Sequence, residues 1–218
     1  MKLVVVDDHL ILRDLLVGSC ERDFGHQVVG QAGTGREAIE VILRTKPDLV
    51  VLDIQLPDIN GFEVIEVVRK AGFDGRILLL SGYCDPHTVY LVERAQVQGF
   101  VDKPTSASGA LRDAFTALGQ GTAYFSETFL RVQTARRRDP RSFDKLLSDT
   151  EQRLLAMFGE LLTDREIAER LNISELTVEK HRFNIRHKLG MGSKAELMRY
   201  VRDHGFMLRA SPPPGLVA

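Results

Sequence analysis

Short apolar runs alternate with amphipathic stretches through about the first 120 residues of the chain. The strand signals lie near 2–6, 27–32, 48–53, 76–81 and 99–102. All of these runs except 27–32 are continuous enough to predict strands buried on both faces, as in a parallel sheet. The stretches with helical periodicity lie at about 10–22, 35–45, 61–71, 86–97 and 107–119. Five strand–helix units in this alternation predict an α/β doubly wound, flavodoxin-like sheet with strand order 2-1-3-4-5.

Four of the predicted strands end in polar residues that suit phosphate chemistry. Asp7 and Asp8 follow the first strand, Asp53 ends the third, Ser81 ends the fourth, and Lys103 follows the fifth. The carboxyl ends of parallel strands meet at one edge, where open α/β sheets bind their ligands. Taken singly, each residue has an ordinary alternative role, such as a helix cap, a turn residue or a solvated lysine. Their shared position at one edge favours a site.

Three neighbouring carboxylates repel one another unless a cation neutralises them. Their oxygen atoms suit a hard cation, and Mg²⁺ is the natural choice. Such a site can support phosphoryl transfer, with one carboxylate attacking phosphorus while the metal and Lys103 offset charge on the phosphoryl oxygens. The sequence therefore predicts a magnesium-dependent phosphoryl site at the carboxyl edge of the sheet.

The second half of the chain has a different pattern, which is helical throughout after Leu147. Ser148 and Thr163 begin capping boxes, and Gly190 ends a longer helix that Ser174 begins. Periodicity fades from about Gly121, and the segment ARRRDPRS at 135–142 is typical of a solvated linker. The predicted division of the chain is 1–121, a linker at 122–146, a small all-α domain at 147–208 and a disordered tail at 209–218.

The first domain resembles the receiver domain of two-component response regulators. The resemblance rests on VDDH at 6–9, LDIQLPDINGFEV at 52–64, LLLSGY at 78–83 and GFVDKP at 99–104. It implies that Asp53 is the phosphoacceptor, with a sensor histidine kinase as the phosphoryl donor. The residues that it implies for Mg²⁺ are Asp7 (through water), Asp8, Asp53 and the carbonyl group of Gln55.

The same resemblance implies that Ser81 and Lys103 contact the phosphoryl oxygens. Phe100 occupies the aromatic switch position of such domains, and an ordinary core aromatic is an equal alternative. The Lys103–Pro104 bond is a candidate for a cis peptide. Tyr83 lies where its bulk would hinder the water that attacks the aspartyl phosphate, and we expect a longer phosphate lifetime as a result. Gln96 departs from the family pattern, because many relatives have glycine there.

Residues 147–206 resemble the LuxR-like helix-turn-helix DNA-binding domain of NarL/FixJ-type regulators. The resemblance rests on LSDTE at 147–151, LLTDREIAERLNIS at 161–174 and TVEKHRFNIRHKLG at 177–190. Leu161 replaces a glycine that is common in relatives. The second helix of such a motif enters the major groove of DNA. The candidate contacts are Thr177, Lys180, His181, Arg182, Asn184 and, on a phosphate, Lys188.

The last predicted helix has two readings. In similar modules this helix can pair two copies of the protein on DNA, and Leu197, Tyr200 and Val201 are then its candidate contacts. Packing of the helix against its own domain is the equal alternative. Independently of which reading of this helix holds, the resemblance implies a homodimer as the active form.

Composition and charge allow this organisation. The formal net charge of −1 hides an acidic first part and a mildly basic remainder, so a neutral whole does not exclude nucleic acid as a partner. No signal peptide or membrane-spanning stretch is predicted, and Cys20 and Cys84 are expected to be reduced thiols of a cytoplasmic protein.

The preferred hypothesis is a response regulator in which phosphorylation of Asp53 controls sequence-specific DNA binding and transcription. On this hypothesis the chain is not an enzyme, except for autodephosphorylation at most. Two alternatives stay open: a phosphate-ester hydrolase that uses Asp53 as its nucleophile, and an adaptor whose helical domain binds polypeptide.

Overall fold

The computed structural model describes residues 1–103 and 108–207. The Lys103–Pro104 bond and the tail from residue 209 lie outside the described residues. The described chain forms two compact units. Of the described residues, the first contains Met1–Cys84 and Leu91–Leu130, and the second contains Asp85–Tyr90 and the chain from 131 to 207.

The first unit is built on a parallel sheet with strand order β2-β1-β3-β4-β5-β6. The predicted order 2-1-3-4-5 is confirmed, and β6 adds a short edge strand that the sequence did not predict. The strands are β1 Lys2–Val6, β2 Gln27–Ala32, β3 Leu49–Asp53, β4 Arg76–Ser81, β5 Gly99–Asp102 and β6 Tyr124–Phe125.

Helices connect the strands and cover the sheet. They are α1 Leu10–Gly18, which continues as a π-helix over Ser19–Asp23, α2 Gly35–Thr45, α3 Gly61–Lys70, α4 Pro86–Ala95 and α5 Ser108–Gly119. All residues of β3 and β5 are buried, because helices on both faces remove both sides of these strands from water. The continuous apolar runs of the sequence are the direct result of this burial.

The segment predicted to be a linker is largely helical. It contains α6 Glu127–Arg138 and the short helix α7 Phe143–Leu146. The expectation that the ARRRDPRS stretch is solvated is wrong for Arg136, which is 7% exposed. The Arg136 guanidinium pairs with the Asp144 carboxylate, and this counter-charge makes the burial of the arginine possible.

The second unit contains the four helices predicted from the capping signals. They are α8 Asp149–Gly159, α9 Asp164–Leu171, α10 Glu175–Lys188 and α11 Lys194–Asp203. The capping boxes of Ser148 with Glu151 and of Thr163 with Glu166 are both present. The core between the helices is apolar and includes Leu154, Phe158, Ile167, Val178, Ile185, Leu197 and Val201.

Gln96 and Leu161, which stand where many relatives have glycine, both have left-handed backbone. The φ angle is 51° at Gln96 and 61° at Leu161. A side chain with a Cβ atom costs roughly 1–2 kcal/mol in this conformation, whereas glycine adopts it readily. The chain therefore keeps the backbone geometry for which glycine is suited and bears the strain.

We predict that Leu161→Gly is more stable than Leu161→Ala by about 1 kcal/mol, because only glycine removes the Cβ atom that opposes positive φ. Both variants remove the same exposed leucine side chain, so the alanine variant is the matched control. Urea denaturation followed by circular dichroism measures the free energy of unfolding. Equal stability of the two variants would contradict the prediction.

Candidate functional site

Carboxylates from two neighbouring strands meet at one edge of the sheet. Asp53 is the last residue of β3, and Asp7 and Asp8 directly follow β1. Ligand atoms of these residues and of His9 all lie within 4.8 Å of one another. Asp7 and Asp53 are almost completely buried, at 0% and 2% exposure. The structure thus brings together the carboxylates that the sequence analysis placed at this edge.

Lys103 supplies the positive charge among these carboxylates. Its Nζ atom lies 2.6 Å from Asp53 Oδ2 and 2.9 Å from Asp7 Oδ2. The lysine follows β5, whereas its partners come from β1 and β3, so the contact joins segments far apart in sequence. A lysine between two buried carboxylates offsets part of their mutual repulsion.

Ser81 lies at the end of the strand next to that of Asp53, and Gln55 follows Asp53 by two residues. Ser81 ends β4, the strand next to β3, and it is 2% exposed. Its Oγ atom accepts a hydrogen bond from the amide of Tyr83 at 3.1 Å. The amide of Gln55 donates to Asp53 Oδ1 at 3.1 Å. This amide contact was not foreseen, because the sequence analysis considered only the carbonyl group of Gln55.

A glycine lets the loop after β3 return close to the phosphoacceptor candidate. A Cβ atom added at Gly61 would lie 2.7 Å from the carbonyl oxygen of Asp53, closer than non-bonded atoms approach. The Gly61 amide donates to the Ile54 carbonyl at 2.8 Å. Gly61 therefore fixes the loop that follows Asp53 through close backbone packing.

His9 belongs to the cluster, although the sequence analysis gave it no role. Its Nδ1 atom lies 2.8 Å from Asp8 Oδ1, and its amide donates to Asp7 Oδ1 at 2.9 Å. The His9 side chain is 70% exposed. Its place directly after two aspartates in VDDH is the signal that would have found it.

The donor set fits a hard divalent cation. Asp7 Oδ2 and Asp8 Oδ1 are buried oxygen atoms that accept no hydrogen bond of good geometry, although each lies within ion-pair distance of Lys103 or His9. A carboxylate oxygen has two lone pairs, so a single contact with Lys103 or His9 leaves one of them for a metal ion. Buried carboxylate oxygens with unused lone pairs are the ligands that Mg²⁺ prefers.

Burial dominates the electrostatics of the site. Burial raises the pKa of Asp53 to about 6, with Lys103 opposing the shift and Asp7 adding to it. Burial lowers the pKa of Lys103, but the charges of Asp53 and Asp7 outweigh burial and leave that pKa raised. Within the carboxylate cluster, the ammonium form of Lys103 is therefore stabilised.

Two aromatic residues near the site have opposite environments. Phe100 on β5 is fully buried, and its ring centroid lies 5.1 Å from that of Phe129 on α6. In this structure Phe100 therefore has the packed position of a core aromatic. The side chain of Tyr83 is mostly exposed, at 62%.

The candidate DNA contacts all lie on α10, but their environments differ. Lys180 is exposed, and His181 and Asn184 are half-buried. Thr177 takes part in the helix cap, where its Oγ1 atom lies 2.8 Å from Ser174 Oγ. The helix thus presents only some of these side chains fully to solvent.

Two of the candidate contacts form ion pairs within the helical unit. Arg182 Nη1 donates to Asp164 Oδ2 at 2.6 Å, and its guanidinium lies 4.5 Å from the ring centroid of Phe158. Lys188 Nζ lies 2.7 Å from Glu151 Oε2, the carboxylate of the first capping box. Each pair uses part of the donor capacity of its side chain and neutralises its charge within the unit, which weakens the attraction of that side chain to a phosphate.

The candidate dimer contacts on α11 are mostly core residues. Leu197 and Val201 are 1% and 0% exposed. Tyr200 is half-buried, and its ring stacks on His204 at a centroid distance of 3.7 Å. In this structure α11 packs against its own unit through Leu197 and Val201.

Comparison with known protein families finds a match for each half of the chain. Residues 3–115 match the family "Response regulator receiver domain", and residues 145–201 match the family "Bacterial regulatory proteins, luxR family". The chain belongs to the response regulators with a LuxR-type DNA-binding domain. The predicted fold class, a doubly wound receiver followed by a small helical domain, is confirmed.

Relatives match this response regulator along almost its whole length. The DNA-binding transcriptional activator DevR/DosR of Mycobacterium tuberculosis is 31% identical, covering 99% of this chain and 98% of that protein. The Fimbriae Z protein of Salmonella typhimurium is 32% identical, covering 93% and 96%.

Solved structures show the same architecture. The response regulator ChrA of a heme-sensing two-component system is 26% identical with a TM-score of 0.53, covering 94% of this chain and 98% of that chain. RcsB of Salmonella enterica serovar Typhimurium, bound to a promoter in the presence of BeF3⁻, has a TM-score of 0.65 at 23% identity, covering 92% and 97%. At this identity, the likeness to RcsB shows the fold alone. Among the residues described, none of the helices of the response regulator has the length and apolarity needed to span a bilayer.

The raised pKa of Asp53 predicts a pH-dependent stability. The folded state holds the proton of Asp53 more tightly than the unfolded state, in which the carboxyl group has its ordinary pKa of 3.8. Stability from this group is therefore complete below that value and is lost as pH rises through about 6. Without divalent cations, we expect Asp53→Asn to raise the free energy of unfolding by about 3 kcal/mol at pH 8 and by almost nothing below the pKa of the unfolded state.

Urea denaturation in the presence of a chelator measures this difference at each pH. Asp14→Asn is the matched control, because it removes the same charge from an exposed helix position. A stabilisation by Asp53→Asn that is independent of pH would contradict the assignment.

Proposed function

We propose that a sensor histidine kinase phosphorylates Asp53 and that this phosphorylation controls sequence-specific DNA binding and transcription. The observation that carries the proposal is the buried contact between Lys103 Nζ and Asp53 Oδ2 at 2.6 Å, at the carboxyl edge of the sheet. The protein would act in the cytoplasm, where both the kinase domain and the DNA are accessible to it.

The chemistry assigned to Asp53 is nucleophilic attack on phosphorus. A carboxylate oxygen of Asp53 forms the new P–O bond, the P–N bond to the donor histidine breaks, and the leaving imidazole takes up a proton. Lys103 lies where its ammonium group can offset negative charge on the transferred phosphoryl group. The hydroxyl group of Ser81, at the end of the adjacent strand, is the second group proposed to contact the phosphoryl oxygens.

A magnesium ion is part of the proposal because the donor set fits one. Asp8, Asp53 and the Gln55 carbonyl group would hold the ion directly, with Asp7 acting through a water molecule. When bound, the ion supplies positive charge that neutralises the carboxylates and the phosphoryl oxygens.

Phosphorylation can act as a switch only if two states of the protein differ in their affinity for the phosphoryl group. Ser81 and Phe100 are the residues proposed to differ between the states. The Ser81 hydroxyl would turn from the Tyr83 amide toward the phosphoryl oxygens. Phe100 would then change its packing against Phe129.

The output of the switch is proposed to be DNA binding by α10 as a homodimer. The DNA-binding activity named for DevR/DosR, which is 31% identical to this chain, supports this proposal. The candidate contacts remain Thr177, Lys180, His181, Arg182, Asn184 and Lys188. Because Leu197 and Val201 are buried, pairing through α11 would use its exposed side chains.

We predict that acetyl phosphate with Mg²⁺ labels the protein to one phosphoryl group per chain and that Asp53→Asn abolishes labelling. Lys103→Ala should reduce labelling strongly, because it removes the cation nearest to the acceptor oxygen. Mass spectrometry of the intact protein measures the stoichiometry. Full labelling of Asp53→Asn would refute the assignment of the acceptor.

Two further assays separate the alternative functions. Multiple turnover of p-nitrophenyl phosphate would favour a hydrolase over a switch. A DNA-shift assay whose affinity did not depend on salt would favour the adaptor, since contacts to DNA phosphates impose a steep salt dependence.

A separate prediction concerns the lifetime of the phosphorylated state. The exposed Tyr83 ring would hinder the approach of water, so Tyr83→Ala should accelerate autodephosphorylation several-fold. Tyr83→Phe is the matched control, because it keeps the ring and removes only the hydroxyl group. Loss of the label is followed after removal of the phosphodonor. An unchanged rate in Tyr83→Ala would refute the role of ring bulk.

A further inference from the structure

The outward face of α10 carries two large apolar side chains that the DNA contacts considered so far do not include. Leu176 is 74% exposed and Phe183 is 64% exposed. Val178 and Ile185 on the same helix are fully buried in the core of the unit. Burial of these two residues fixes which side of the helix faces solvent.

Helical geometry defines the members of that outward face. At 3.6 residues per turn, positions 176, 180, 183 and 187 lie on the side opposite Val178 and Ile185. All four side chains are exposed, and the ring of Phe183 stacks on His187 at a centroid distance of 6.5 Å. We call Leu176, Lys180, Phe183 and His187 the outer stripe of α10.

We infer that Leu176 and Phe183 read thymine methyl groups in the major groove of the DNA site. The C5-methyl group of thymine is the apolar group that base pairs display in this groove, and apolar side chains are its natural contacts. The inference rests on the proposed DNA-binding function and deepens it by naming two residues that determine base preference.

The surroundings of the two side chains favour DNA as the partner of this face. Lys180 lies between them on the outer stripe, and Arg186, His187 and Lys188 make the last turn of the helix basic. Exposed Glu179 would repel a phosphate, but it can accept a hydrogen bond from a cytosine amino group at a base edge. These charges suit a helix whose N-terminal part faces bases and whose last turn approaches phosphates.

Spacing along the helix limits where the two thymines can lie. Residues 176 and 183 are separated by a rise of about 10 Å along the helix axis. This distance corresponds to roughly three base-pair steps of DNA. Each half-site should therefore contain two methyl contacts separated by a few base pairs.

Uracil substitution tests the inference, because uracil differs from thymine only by the missing methyl group. DNA is first selected from a random pool with the full-length protein treated with beryllofluoride and Mg²⁺. The selected duplex is then synthesised with deoxyuridine in place of thymidine at one position at a time. We expect two positions in each half-site at which the replacement weakens binding about fourfold, the effect of losing one buried methyl group.

The variants assign each methyl contact to a residue. Leu176→Ala should remove the discrimination between thymine and uracil at one position, and Phe183→Ala should remove it at the other. Leu161→Ala is the matched control, since it truncates another exposed leucine of the same unit and should keep both discriminations. Urea denaturation checks that the three variants remain folded.

The possible failures are distinguishable. Specific binding that is equally strong with uracil at every position would overturn the inference and leave the proposed function intact. The inference would also be overturned if both α10 variants kept the discrimination between thymine and uracil. It would be overturned as well if the only effect of the two substitutions were a change in the oligomeric state of the protein. Failure to select any sequence would overturn the proposed function together with the inference.

Discussion

The contact of Lys103 with Asp7 and Asp53 is the interaction on which the receiver unit depends. Two carboxylates at almost zero exposure are unfavourable unless a positive charge lies between them. The lysine comes from the end of β5, and the aspartates come from the ends of β1 and β3. The parallel sheet must therefore be complete and in register before the charges can offset one another. Function and folding share the same electrostatic constraint at this edge.

This dependence explains how much the sequence could predict. Strands buried on both faces must be apolar throughout, so the bounds of β1, β4 and β5 match the predicted ranges and β3 differs by one residue. The site could be predicted for the same reason, since polar residues at the ends of such runs have to meet at one edge. β6 was missed because two residues are too few for a periodic pattern. α6 was missed because its last turn contains three arginines, and the pairing of Arg136 with Asp144 is a tertiary contact.

On α10, residue type alone gave an incomplete description. Basic and amide residues were predicted as contacts, because these residue types are typical of DNA contacts. In the structure, Arg182 and Lys188 are paired with carboxylates of α9 and α8. Leu176 and Phe183 were overlooked because apolar residues in a helix usually belong to the core. Only the burial of Val178 and Ile185 shows that the face with Leu176 and Phe183 points away from the core.

The two sites differ in how much change each can tolerate. The carboxylate cluster depends on contacts between distant segments, so loss of the Lys103 charge would leave the buried carboxylates of Asp7 and Asp53 uncompensated. The outer stripe of α10 lies on a helix whose cap is local, where Ser174 accepts a hydrogen bond from the Thr177 amide. Substitutions at Leu176 or Phe183 leave that cap and the core contacts of the helix in place. Base preference can therefore diverge at little cost to the fold, whereas Lys103 cannot be replaced without depriving two buried carboxylates of their counter-charge.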